Sequence, residues 1–544
     1  MAAPTIYCND FCDSDSKESR RCELLRVGEY FAANPEEFTG TSALGLDSHK
    51  FYIRPLDRFR ENLVSIAGGD LFRSLINGAA PSNGAAVSQV FKSHIPEIRR
   101  LSVDVQSPNY MGHMTGALPS FAPFIDRVIG ELNQNVVKIE TASIATVIER
   151  QVLGWLHNLV YQRSSEFYTQ MLYNDKTALG NITSGGTIGN LTGLAVAREQ
   201  ALPGAAEYGL VEALSRNGYA DAVVFASSRV HYSVGKITSL LGIGSRGVIE
   251  IPVDPKTHKI DCAKLRSELV GENKRYRRVI AIIGIAGATE TGSIDDLQAL
   301  AEIAQEFGIW FHVDAAWGGC LLLSESQREK LRGIEFADSV VIDAHKGMYV
   351  SMSCGSVLFR NERSLDSLRH NARYIVREGS FDLGQTGVEG SRRFDALKIW
   401  LTWNIFGNSG YSVLIESMVE RAGVFAELVA GIKEFEITSP PEAGILTYRF
   451  NPSGVIGLKD ERRVEVLNRL NERIHERLPQ ESGFFVSRTS LETVDGVLGK
   501  SSVVLRVVFL NPLINSQCMQ ECLQAQLVIG MDELRSCLGS GDVS

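Results

Sequence analysis

The chain of 544 residues has room for a large core and more than one domain, and its composition shows no collagen-like, coiled-coil or disordered bias. A formal net charge of −9 argues against a nucleic-acid partner, because phosphate binding needs a basic stripe. No run approaches the roughly 20 apolar residues that span a bilayer, and the best candidate, Val279–Ala286, is only strand-length.

The chain opens with MAAPTIYCNDFCDSDSKESRR, a polar stretch without the apolar core of a secretory signal or a glycine at position 2 for myristoylation. Cys8, Cys12 and Cys22 lie in this stretch, and Cys518 and Cys522 sit four apart on helical text. No further ligands complete a metal site at either place, so free thiols in a reducing cytoplasm are expected, with no metal and no membrane partner. From about Ile53 to Arg100 the text is helical with Gly/Pro/Ser breaks, and two helical stretches follow between Pro119 and Leu159. The centre alternates strand and helix. Ala222–Ala226, Val279–Ile285, Trp310–Val313, Val340–Ile342 and Gly355–Phe359 read as strands, and Leu297, Leu300, Ala301, Ala304 and Phe307 recur at helical spacing before Gly308. Such units build a mostly parallel sheet covered on both faces, with ligands at the carboxyl ends of its strands. After about Gly407 come a helix at Tyr411–Lys433, strand text at Gly444–Phe450, an amphipathic helix at Arg462–Leu478, strand text at Val503–Leu510 and a last helix. The expected division is a polar tail over 1–25, a helical segment over 26–115, a large α/β domain over 116–406 and a small α+β domain over 407–544.

Each of the first four strands ends in a chemically distinctive residue: His231, Thr289, Asp314 and, in DAHK, Lys346. Ahead of them lies NITSGGTIGN, two glycines opening a helix, with Ser184 and Thr187 alongside. Singly these features have ordinary readings: a turn, a cap, a satisfied histidine, a solvated lysine. Together they ask for a ligand with four handles. A glycine turn at a helix N-terminus takes a phosphate, a carboxylate keeps a ring nitrogen protonated, an imidazole stacks on an aromatic ring, and an amine condenses with an aldehyde. Pyridoxal 5′-phosphate carries all four.

The motifs TSGGTIGN, HYSVGK, GATETGSID, HVDAAWGG, DAHK and SRRFDALKIW, in this order, resemble those of the group II pyridoxal-phosphate-dependent amino-acid decarboxylases, from about Tyr110 into the C-terminal domain. The resemblance implies an α/β fold of PLP-dependent transferase type I, aspartate aminotransferase-like, and a homodimer whose active sites draw on both subunits. By position it assigns the aldehyde-linking amine to Lys346, the pyridinium partner to Asp314, one ring face to Ala316 and the other to His231. Gly186 and Thr187 fall to the phosphate with His345 nearby, Thr289 to the cofactor site, and Arg392 in SRR to the substrate α-carboxylate. Tyr374, in HNARYIVREGSFDLG, matches a tyrosine that returns a proton to the substrate carbon. DAHK departs from the asparagine–proline–histidine–lysine of animal relatives, and Ser107–Pro119 departs from their substrate-side segment.

The text around Gly112–Met114 and Leu132–Thr141 is similar to bacterial aspartate 1-decarboxylases, which places His113, Asn135 and Val137 along the side-chain pocket. The expected activity is decarboxylation of an acidic L-amino acid, aspartate to β-alanine, with glutamate and cysteine sulfinate as alternatives. Aromatic substrates, another PLP lyase or transaminase reaction, decarboxylation with oxidative deamination, and a non-catalytic cofactor-binding protein rank lower.

Overall fold

The computed structural model describes residues 87–271, 276–370, 379–455, 458, 460–492, 494 and 500–539. Helix α1 (Val87–Leu101) precedes α2 (Ala122–Leu132) and α3 (Ile144–Tyr161). Helix α2 ends where Asn133 turns left-handed at φ 45° and donates its N–H to the Ile129 carbonyl.

The central sheet comprises β1 (Gly180–Thr183), β2 (Asp221–Ser227), β3 (Val248–Ile251), β4 (Arg277–Ile285), β5 (Trp310–Asp314), β6 (Ser339–Ile342) and β7 (Gly355–Phe359). Its order is β1-β7-β6-β5-β4-β2-β3, and every pairing is parallel except the two made by β7. All five expected central strands are present. The uninterrupted apolar run of β6 is buried at all four positions, as a strand covered on both faces requires. Two further strands, β1 and β3, were not expected, because GNIT and VIEI are short and lack an apolar run.

Helix α4 (Gly186–Ala201) runs from the glycine turn, α5 (Ser233–Leu240) follows β2, and α6 (Cys262–Val270) follows β3. The predicted helix before Gly308 is α7 (Leu297–Phe307). Asp296 caps it by accepting from Ala299 N at 3.0 Å, and Gly308 ends it at φ 62°.

Helix α8 (Ala396–Ala430) begins well before the expected Tyr411, and it is interrupted at Gly407, where φ is 61°. Beyond it, β8 (Phe435–Ile437), β9 (Ile445–Phe450), β10 (Ser487–Leu491) and β11 (Ser502–Val508) form an antiparallel sheet in the order β10-β11-β9-β8. It packs with α9 (Asp460–Glu481), and α10 (Ser516–Gly539) lies against α9, giving the α+β C-terminal domain expected from the change in texture. Among the described residues, no helix is long and apolar enough to cross a membrane.

Candidate active site

A cavity of about 420 Å³ opens beyond the carboxyl ends of β2, β4, β5 and β6. Its wall includes Ser184, Gly186 and Thr187 from the start of α4, His231 after β2, Thr289 after β4, Asp314 and Ala316 at the end of β5, and Asp343, His345 and Lys346 after β6. Nine of the fourteen residues assigned to the site from sequence line this one space; His113, Asn135, Val137 and Arg392 do not. A larger cavity, about 560 Å³, lies at the opposite ends of the strands among Arg278, Trp310, Asp338 and Arg360, and none of those assigned residues lines it.

Lys346 Nζ stands 3.1 Å from Asp343 Oδ2, in the turn that follows β6. Asp343 is buried, and its Oδ1 has no hydrogen-bond partner among the described residues. Asp314 accepts at Oδ1 from Ala316 N (3.1 Å) and at Oδ2 from Asn190 Nδ2 (2.8 Å). His231 Nδ1 meets Ser233 Oγ at 2.7 Å. Burial holds the His231 imidazole below its ordinary pKa, against an opposing pull from Asp314, so the ring is neutral at pH 7. His345 Nδ1 bonds the Cys354 carbonyl at 2.7 Å, which fixes that ring beside the turn.

The turn itself fits an anion with a flat body behind it. The first-turn N–H groups of a helix have no acceptor within it and carry the positive end of its dipole. Gly186 leaves this approach open: a Cβ there would lie 3.0 Å from Asp343 Oδ2 and 3.1 Å from Ala316 Cβ. An amine, a strand-end carboxylate, an imidazole and an anion cradle thus face one volume, a donor set that fits pyridoxal phosphate.

A family profile, the pyridoxal-dependent decarboxylase conserved domain, matches residues 70–451. The chain belongs to this family. This pyridoxal-dependent amino-acid decarboxylase is 38% identical over 470 residues to aspartate 1-decarboxylase of Aliivibrio fischeri, covering 84% of this chain and 86% of the relative. It is 25% identical over 504 residues to L-2,4-diaminobutyrate decarboxylase of Acinetobacter baumannii, covering 90% and 93%. The apo crystal structure of mouse CSAD superposes with a TM-score of 0.76 at 22% identity, over 94% of this chain and 99% of that one. The fold is the expected type I architecture.

Four assignments from sequence do not line the cavity. The Arg392 guanidinium turns the other way, donating to Glu149 Oε1 at 2.6 Å and to the Ile182 carbonyl at 2.9 Å, and it is buried there as an ion pair. Asn135 spends its amide oxygen on the backbone N–H groups of Arg392 (3.1 Å) and Val137 (3.4 Å), and Val137 itself is buried in the core. His113 stacks near Phe485, with centroids 5.9 Å apart, and burial together with the nearby Arg506 charge keeps its pKa low. Tyr374 lies outside the described residues.

Two features beside this decarboxylase's cavity escaped the sequence reading. Arg506, on β11, donates Nη1 to the Thr289 carbonyl (2.7 Å), Nη2 to the Gly112 carbonyl (3.0 Å) and Nε to Ser487 Oγ (2.8 Å). It is buried, and all three of these partners are neutral. The signal was a lone arginine inside the apolar strand VVLRVVFL. Asn190, the partner of Asp314, closes the motif TSGGTIGN, but nothing in that text pairs it with Asp314.

Proposed function

We propose that the chain binds pyridoxal 5′-phosphate in the 420 Å³ cavity and removes the α-carboxylate of L-aspartate as CO2, leaving β-alanine. The convergence of Lys346, Asp314, His231 and the Gly186 turn on one volume carries the cofactor reading. The likeness to the Aliivibrio fischeri aspartate 1-decarboxylase supports the choice of aspartate.

When bound, the cofactor supplies an aldehyde for amines and a ring that accepts the electrons left by the departing carboxylate. Ser184, Gly186 and Thr187, with His345 beside them, would hold its phosphate, Asp314 its ring nitrogen, Ala316 and His231 its two faces, and Thr289 its rim. Lys346 Nζ is the amine placed to condense with the aldehyde, and Asp343 Oδ2, 3.1 Å away, is the acceptor for that amine when it is free. Arg506 takes over from Arg392 as the group for the substrate α-carboxylate, because its planar fork reaches the cavity rim at Thr289 and makes no ion pair with a carboxylate among the described residues. His113, within electrostatic reach of Arg506, stays on the substrate side of the site. Tyr374 or His231 would deliver the proton that replaces CO2 on the substrate carbon.

A homodimer with shared active sites belongs to the same proposal. Tyr232 and Met352 line the cavity yet are 70% and 61% exposed, an apolar rim that a second copy would cover.

The test is CO2 release from a panel of aspartate, glutamate, cysteine sulfinate, 2,4-diaminobutyrate, tyrosine and DOPA, with each amine product identified by mass. Aspartate is expected to react fastest, giving β-alanine. A preference for tyrosine or DOPA would overturn the acidic-substrate reading, and stoichiometric ammonia and hydrogen peroxide would replace simple decarboxylation with its oxidative variant.

A further inference from the structure

Beneath the cofactor cavity, alternate residues of β5 point to one face of the sheet, as the two-residue period of a strand dictates. Those residues are Trp310, His312 and Asp314, and α4 lies across them. His312 is fully buried, yet both ring nitrogens are engaged: Nε2 lies 2.9 Å from Asn190 Oδ1 and Nδ1 lies 2.7 Å from Ser339 Oγ. Ser339, paired with His312 across β5 and β6, also accepts from Trp310 Nε1 at 2.9 Å. Asn190 in turn reaches Asp314 Oδ2 at 2.8 Å.

The direction of every proton in this chain follows from chemistry. A carboxylate only accepts, so Asn190 presents its NH2 to Asp314 and its oxygen to His312. His312 Nε2 must then carry the proton, which makes Nδ1 an acceptor. The Ser339 hydroxyl therefore donates to Nδ1 and uses a lone pair for the indole N–H of Trp310, a group that only donates. All four links run the same way, toward Asp314. Burial favours the neutral imidazole this pattern needs, pushing the His312 pKa down to about 4.

The helix is built to accommodate the chain of bonds. At Gly193, one turn beyond Asn190, a Cβ would lie 2.7 Å from His312 Cε1, 2.9 Å from Nδ1 and 3.3 Å from Ser339 Oγ. No side chain fits there while His312 holds its position. The same helix starts at the anion cradle, so one rigid element sets both the cradle and the partner of Asp314.

We propose that Asn190, His312, Ser339 and Trp310 are positioning residues, a one-directional hydrogen-bond relay that orients the Asp314 carboxylate toward the cofactor's ring nitrogen and keeps the shared proton on that nitrogen. Donors aimed at a carboxylate favour its charged form, and aligned bonds strengthen one another. This inference rests on the cofactor reading above.

The full-length protein reconstituted with pyridoxal phosphate labelled with nitrogen-15 in the ring tests it, through the ring-nitrogen NMR shift and the rate of cofactor release. The wild type is expected to show a protonated ring nitrogen. Asn190→Leu and His312→Phe are expected to move the resonance toward the neutral-pyridine range and to speed release about tenfold, the worth of one charge-assisted bond. Ser339→Ala is expected to do so less, and His312→Gln, whose amide N–H again faces Asn190 Oδ1, to restore both readings. If the larger substitutions do not fold, Ser339→Ala, which deletes a single oxygen, decides. An unchanged shift and release rate in the variants, or a Gln variant as impaired as the Phe variant with losses that merely follow the melting temperature, overturns the relay. A wild-type protein that holds pyridoxal phosphate with a neutral ring nitrogen also overturns the relay, whereas one that takes up no pyridoxal phosphate overturns the cofactor reading itself.

Discussion

Lys346 Nζ and Asp343 Oδ2 face each other at 3.1 Å, three residues apart in the turn that closes β6. A lysine here costs hydration that a solvated side chain would keep, and the buried carboxylate offsets that cost. Lys346→Ala is expected to leave the fold intact, because 22% of the lysine side chain is exposed and no core packing rests on its tip. CO2 release should fall by about three orders of magnitude, the scale of losing a positioned acid–base amine. The visible absorption of lysine-bound pyridoxal phosphate should vanish with it. Wild-type turnover in this variant would remove Lys346 from the chemistry.

The two buried arginines are separable by kinetics. Arg506→Lys keeps the charge but loses the planar fork, so KM is expected to rise ten- to a hundredfold, from about 1.5–3 kcal/mol of charge-assisted bonding. Arg392→Gln should leave KM near the wild-type value. It strands Glu149, which is fully buried and already has its pKa raised by desolvation, so about 3–5 kcal/mol of stability is expected to go. Steady-state kinetics and urea midpoints of the two variants give opposite patterns if this assignment holds.

The site was legible where chemistry interrupts a pattern. His231, Thr289, Asp314 and Lys346 are polar residues at the ends of apolar runs, and a parallel sheet brings such ends together whatever the details of packing. Arg392 misled because a guanidinium's direction depends on tertiary partners, here Glu149 on α3, more than 240 positions earlier in the chain. Asn190 and His312 were opaque for a related reason. Each stands in a distinctive motif, Asn190 at the end of TSGGTIGN and His312 at the start of HVDAAWGG, yet only the crossing of α4 over β5 reveals that their polar atoms meet. The strands β1 and β3 were missed because backbone pairing with β7 and β2, rather than side-chain pattern, makes them strands.

At the cradle, Gly186→Ala adds a methyl group 3.0 Å from Asp343 Oδ2 and 3.1 Å from Ala316 Cβ. Both neighbours lie in the turns after β5 and β6, tied to each other by the bond from Asp343 N to the Ala316 carbonyl at 3.2 Å, so the added group pushes into the cofactor volume. Overpacking of this kind costs about 1–3 kcal/mol, and pyridoxal phosphate affinity is expected to drop about five- to a hundredfold. Fluorescence titration of the apo protein measures it, and an affinity equal to wild type would place the phosphate elsewhere.

Stability should fall in mild acid. His157 is fully buried, with Nε2 on the Phe359 carbonyl at 3.1 Å and Nδ1 on Tyr168 Oη at 2.9 Å, and desolvation pushes its pKa down from 6.5 to about 4. His312 is lowered to about 4 by the same cause. Between the folded and unfolded values the unfolded chain binds more protons, so this stability is present above about 6.5 and is lost as the pH falls toward 4. From pH 7 to pH 5 the loss is about 2 kcal/mol for each histidine. Asp295 opposes it: burial raises its carboxyl from 3.8 to about 6, so acidification returns about 1 kcal/mol there. Urea unfolding at the two pH values should therefore show a net loss, and His157→Gln should reduce that loss by about 2 kcal/mol. An identical pH dependence in the variant would mean that His157 is not held neutral by its burial.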